Sequence, residues 1–182
     1  MSTLEARCLD AFPNWLRSLA EDARALAAVL ESEGNPVAQL RSASALNYLF
    51  KSLDLIPDGL EDLGFIDDAF VLRAAAAAVR AEAESELAAD ATGALARLAS
   101  EAELVQEFLG SEYGRLSKYV AGLEQSSARG RSVATIMTDA DARAEFVREV
   151  RQWAESYAVP GFGRDQRNLV KLRSFLLAKL PA

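Results

Sequence analysis

Residues 46–79, LNYLFKSLDLIPDGLEDLGFIDDAFVLRAAAAAV, leave the chain few ways to fold. After Asp67 and Asp68, the only polar side chains in residues 66–81 are Arg73 and Arg80, one heptad apart. Phe65, Leu72, Ala76 and Val79 share one face, with Phe70 and Ala74 between faces. A helix that is apolar nearly all round must be enclosed by neighbours. The alanines at 74–78 combine high helix propensity with side chains small enough for close helix approach. The spacing therefore predicts a buried helix over 66–81 at the centre of an all-α bundle. Charged residues break its apolar run short of the ~18 residues that a membrane span needs.

The turn before this helix is acidic, with Asp54, Asp58, Glu61, Asp62, Asp67 and Asp68. Pro57 fixes its own φ and disfavours helix at Ile56. An incoming helix with Leu46, Leu49, Phe50 and Leu53 on its apolar side should therefore end near it. Asp54 and Asp58 suit capping of a backbone turn, Gly64 a positive φ, and Asp67 or Asp68 the N-cap of the following helix. Arg73 must reach solvent or find a carboxylate, because an unpaired buried charge costs several kcal/mol. Asp54 or Asp58, across the turn, is its expected partner. The same residues allow a second reading. Asp54, Asp58, Asp62, Asp67 and Asp68 are oxygen ligands of the kind that hold Mg²⁺, Mn²⁺ or Ca²⁺. Their spacing is not that of an EF-hand loop, and caps with ion pairs account for them more simply.

Tyr48-Leu49, Asp54-Leu55-Ile56-Pro57-Asp58, Leu63-Gly64 and Asp67-Asp68 together resemble the signature of the YkvA-like domain of unknown function, a short helical module of bacteria. The likeness covers residues 46–79 and departs from the pattern at Ser52 and Glu61, where the family usually has proline. It implies an α-helical domain, brings no catalytic residues with it, and suggests a looser turn here. Some relatives add a membrane segment, which is not expected in this chain.

Composition narrows function further. The chain has no histidine, which removes Ser-His-Asp and Cys-His couples, HExxH zinc sites and imidazole proton shuttles. Carboxylates with a hard cation, a carboxylate acid/base pair, or an activated Lys or Tyr are what remain. Neither Gly161-Phe162-Gly163 nor Gly130 sits in a phosphate-binding loop pattern. A net charge of -7 argues against nucleic acid as a partner. Residues 1–90 carry 7 basic and 16 acidic side chains and residues 91–182 carry 13 and 11, so the halves differ in sign. Cys8 is the single cysteine and is expected to be a buried thiol, with no disulfide. The N-terminus lacks the pattern of a secretory signal, and a cytoplasmic location is expected.

Along the chain, Ser2 and Glu5 suggest a capping box for a short first helix. Pro13 then suits the start of a second, bearing Trp15, Leu16, Leu19, Leu26, Val29 and Leu30. Asn35 should cap a third helix running through Leu40 and Leu46. Thr92-Gly93 is the expected break between a helical domain, 1–90, and a helical extension, 91–182, packed on it as one unit. In the extension, Leu95, Leu98, Ala102, Val105 and Leu109 form one stripe, and Tyr113, Leu116, Val120 and Leu123 another. QSSARGRS reads as a mobile, solvated loop with Arg129 and Arg131. Thr138 or Asp139, and then Asp165, should cap the last two helices, giving about seven or eight in all.

These features point to a cytoplasmic, non-enzymatic interaction or scaffolding module that recognises a protein partner or itself. Its alternatives are a divalent-metal protein or metal-dependent hydrolase at residues 54–68 and a peripheral membrane adaptor using the basic helix at 164–180.

Overall fold

The computed structural model describes residues 3–52, 54–85 and 93–182. Ser2, Leu53 and Thr92, read above as a cap, an apolar contact and a break, lie outside the described residues. The described residues form helices α1 (Thr3–Glu31), α2 (Pro36–Tyr48), α3 (Ile66–Glu82), α4 (Ala94–Leu109), α5 (Tyr113–Gly122), α6 (Val133–Thr138), α7 (Ala140–Ser156) and α8 (Gln166–Lys179). The fold is all-α apart from a hairpin of Ser127–Ala128 with Arg131–Ser132. No helix among the described residues is long and apolar enough to cross a membrane.

The apolar helix is central, as its composition demands. α3 packs most extensively on α4 and α2, and also meets α5 and α1. Its Ile66, Ala69, Phe70, Val71, Leu72, Ala75, Ala76 and Val79 are buried. Phe70 joins Phe12, Trp15 and Phe108 in a ring cluster with centroids 5.1–6.0 Å apart, tying α1, α3 and α4 together. Edge-to-face packing of this kind adds about 0.5–1.5 kcal/mol per pair beyond burial. α1 also lies along α7 and α2.

Several local expectations are corrected. Residues 3–31 form one helix rather than two, with Pro13 inside it. Proline withholds one amide, but Asn14 Nδ2 donates to the Asp10 carbonyl beside the gap. Phe12, Trp15 and Leu16, buried on both sides of the proline, hold the helix continuous. Asn35 caps α2 as expected, accepting from the Val37 amide, but α2 ends at Tyr48, well before Pro57. α3 takes no side-chain cap from Asp67 or Asp68; Phe65, at φ 63°, precedes it. The QSSARGRS segment is a hairpin whose turn residues Arg129 and Gly130 have φ 49° and 76°, the twist that two-residue hairpin loops favour. Arg129 lies over the Phe50 ring, and Arg131 lies over Phe146 while pairing with Glu149 at 2.7 Å.

Asp139 caps α7, accepting the Asp141 and Ala142 amides, and Asp165 caps α8, accepting the Arg167 amide. The far end of α8 is held by Arg115, which donates to the carbonyls of Leu177, Leu180 and Pro181. Cys8 is buried and free, and burial pushes its thiol up to about 11.

Gly64 is required for a reason other than a positive φ, which falls on Asp62 (67°) and Phe65 (63°) instead. A Cβ at Gly64 would sit 2.1 Å from the Asp58 carbonyl oxygen, so the turn closes through the space a side chain would fill. Gly64→Ala should cost about 1–3 kcal/mol in denaturant unfolding. Gly59→Ala, in the same turn with nothing within 4 Å, should stay within about 0.5 kcal/mol of wild type.

Candidate functional site

The described residues between α2 and α3 have no ladder of their own, so their buried amides need other acceptors. Tyr48 and Asp67 supply them. The Tyr48 hydroxyl accepts the Leu55 amide at 2.7 Å and donates to Asp67 Oδ2 at 2.6 Å. The same carboxylate oxygen accepts the Ile56 amide at 3.0 Å. One side chain from the end of α2 and one from the first turn of α3 thus clasp the turn between them. At the rim, Lys51 Nζ donates to the Tyr119 hydroxyl at 3.1 Å and lies over the rings of Tyr48 and Tyr119.

The five aspartates are divided between interior and surface. Asp67 and Asp68 are buried, Asp54 is half-buried, and Asp58 and Asp62 are exposed. Asp62 points toward Gly161 and Gly163 in the segment before α8. Asp54 Oδ1, Asp67 Oδ1 and Asp68 Oδ2 are buried without a hydrogen-bond partner. Burial, with repulsion from Asp58 and Asp67, raises Asp54 to about 7 against the pull of Lys51. Burial raises Asp68 well above the usual carboxylate range, with Asp67, Asp58 and Asp54 adding repulsion. Burial raises Asp67 as well, opposed by its bonds from Tyr48 and the Ile56 amide. The interior carboxyls therefore keep their protons to higher pH than free aspartates do. Among the described residues, no group of three acidic or cysteine side chains is placed to hold a metal ion.

Arg73 does not pair with Asp54 or Asp58. It bonds Glu101 at 2.6 Å and Asp22 at 3.5 Å, donates to the Ala69 carbonyl, and stacks 4.1 Å from the centre of the Trp15 ring. Helix geometry explains this. Arg73 stands about 10 Å along α3 from its start and about 140° and 240° around it from Asp68 and Asp67, on the side facing α1 and α4. Asp22, itself fully buried, also receives Ser18 and Arg97, and Arg97 reaches Glu101. Burial lowers the Arg73 guanidinium to about 10, held there by Glu101 and Asp22, so it stays charged at neutral pH.

This network had a sequence signal. Asp22 falls on the stripe Trp15, Leu19, Leu26 and Val29 at heptad spacing, where a carboxylate must have a cationic partner. A hollow of about 680 Å³ between α1 and α4, lined in part by Trp15, Ser18, Arg97 and Glu101, opens beside it. None of the five aspartates lines this hollow, the two hollows beside Val170 of α8, or the one at the hairpin between Arg129 and Trp153.

Residues 40–74, which run from α2 through the clasped turn to the middle of α3, match the model of a family described as a protein of unknown function, DUF1232. The match agrees with the YkvA-like resemblance of this segment and covers about a fifth of the chain. No curated protein and no solved structure matches the chain.

Two outcomes follow. Aspartates whose folded pKa is raised bind protons more tightly folded than unfolded. Their stabilising share is full below about pH 4 and is lost as pH rises through the folded values, for Asp54 near 7. Between about pH 5 and 7, Asp54→Asn should show a flatter midpoint-against-pH profile than wild type. Arg73→Ala, which removes the buried cation and leaves Asp22 and Glu101 to Arg97 and Ser18, should cost about 3 kcal/mol in denaturant unfolding; an unchanged midpoint would show the network to be incidental.

Proposed function

We propose that the chain is a cytoplasmic, non-enzymatic protein-interaction or scaffolding module in which residues 40–74 build the scaffold. The observation that carries this reading is the use made of the motif side chains. Tyr48 and Asp67 are engaged with backbone amides and with each other. Arg73 is enclosed by Asp22, Glu101 and Trp15. An active site needs reactive groups within reach of a bound substrate, and these groups face the interior.

A divalent cation at the turn is the competing reading, favoured by the unpartnered oxygens of Asp54, Asp67 and Asp68. Protons meet the same need, because a neutral carboxyl avoids the cost of a buried charge. Thermal unfolding with and without Mg²⁺, Mn²⁺ or Ca²⁺ separates the two. A cation at a hundred times its dissociation constant would add about 2.7 kcal/mol. The module reading expects no shift in midpoint. A shift in wild type that disappears in Asp54→Asn/Asp68→Asn would overturn it in favour of a metal site.

A further inference from the structure

α8 is the basic element of an acidic protein. Residues 164–179 hold Arg164, Arg167, Lys171, Arg173 and Lys179 against Asp165 alone, in a chain of net charge -7. Asp165 is engaged as the α8 cap, and Arg164 faces Asp10 at 3.7 Å. Arg167 and Lys171 are exposed and have no carboxylate within ion-pair distance among the described residues. Between them stands Val170, 63 % exposed, one of two large apolar side chains so exposed among the described residues.

Hollows flank Val170 on both sides. One, of about 520 Å³, is lined by Asp165, Gln166, Arg167, Val170 and Lys171, with Val170 as its one apolar residue. The other, of about 180 Å³, reaches between α1, α4 and α8 to Leu4, Cys8, Phe108 and Leu169, with Arg173 and Glu5 at its edge, Glu5 accepting from Gln166 Nε2 at 2.6 Å. Gln166 and Val170 belong to both, so the hollows share a ridge. Concave apolar surface rimmed by unpaired charge is how a groove receives the apolar face of a helix while selecting its charge.

We propose that this face of α8 docks an acidic amphipathic helix of a partner protein, its apolar side chains entering the hollows astride Val170 and its carboxylates meeting Arg167, Lys171 and Arg173. The proposal rests on the interaction-module reading and gives it a surface. A two-fold pairing of this face with a second copy would set Arg167 and Lys171 against their own like charges. A bilayer would need an outward apolar stripe, whereas Leu169, Leu172 and Leu176 of α8 point into the core.

The test is fluorescence anisotropy of the full chain with a labelled synthetic helix bearing Glu on one face and Leu on the other, beside a counterpart with Lys for every Glu. The acidic helix should bind, more weakly as salt is raised. Arg167→Glu/Lys171→Glu and Val170→Asp should each weaken it about tenfold or more with unchanged unfolding midpoints, because these side chains are exposed. The Lys counterpart should not bind. No binding of the acidic helix, or equal binding of both helices, overturns the proposal. Binding undiminished in the variants also overturns this surface, while leaving the module reading intact; that reading falls instead to the cation-dependent shift. Sedimentation with anionic vesicles, lost in the variants while the acidic helix fails to bind, would make the face a membrane surface instead.

Discussion

The hydrogen bond from Tyr48 to Asp67 closes the turn on which the bundle depends. The described residues that join α2 and α3 form no helix or strand, yet Leu55, Ile56 and Leu63 among them are buried. Buried apolar side chains bring their backbone amides inside with them, and each amide left without an acceptor costs about 1–3 kcal/mol. Tyr48 meets the Leu55 amide, and Asp67 meets the Ile56 amide and the tyrosine hydroxyl. Gly64 lets the chain pass against the Asp58 carbonyl. The turn residues thus form one device, which sets where α3 begins and how it meets α2.

A second polar device lies further along α3, on another side of the helix. Arg73 is fully buried, and its charge is matched by Asp22 from α1 and Glu101 from α4. A buried ion pair seldom adds net stability over apolar packing, but removing one partner is costly. The clasp fixes α3 to α2, and the arginine fixes it to α1 and α4. Alanine-rich helices offer few distinctive shapes with which to select a packing register, and these two polar contacts add directional ones to the ring cluster of Phe12, Trp15, Phe70 and Phe108.

Much of this was legible in the sequence. The nearly unbroken apolar surface of residues 66–81 places α3 at the centre, and Asn35, Asp139 and Asp165 announce three helix starts through their side-chain oxygens. What was not legible depends on distances that no local pattern encodes. Pro13 reads as a helix start because proline favours that position, but burial of Phe12, Trp15 and Leu16 overrides it. Gly64 reads as a positive φ, and its actual constraint is the approach of a carbonyl from six residues earlier. Asp67 reads as a cap or ligand; its hydroxyl partner lies nineteen residues away on the preceding helix. Arg73 reads as facing the acidic turn, and only its angle around α3 directs it to Asp22, whose place on an apolar stripe is the available clue.

The measurement that tests the clasp most directly is a double-mutant cycle in denaturant unfolding with Tyr48→Phe, Asp67→Ala and both together. Each single change should be destabilising, and the pair should fall short of their sum by about 0.5–3 kcal/mol, the range for residues in contact. Additive effects would contradict the account, because Tyr48 and Asp67 would then contribute to the fold independently and the turn would be closed by something else.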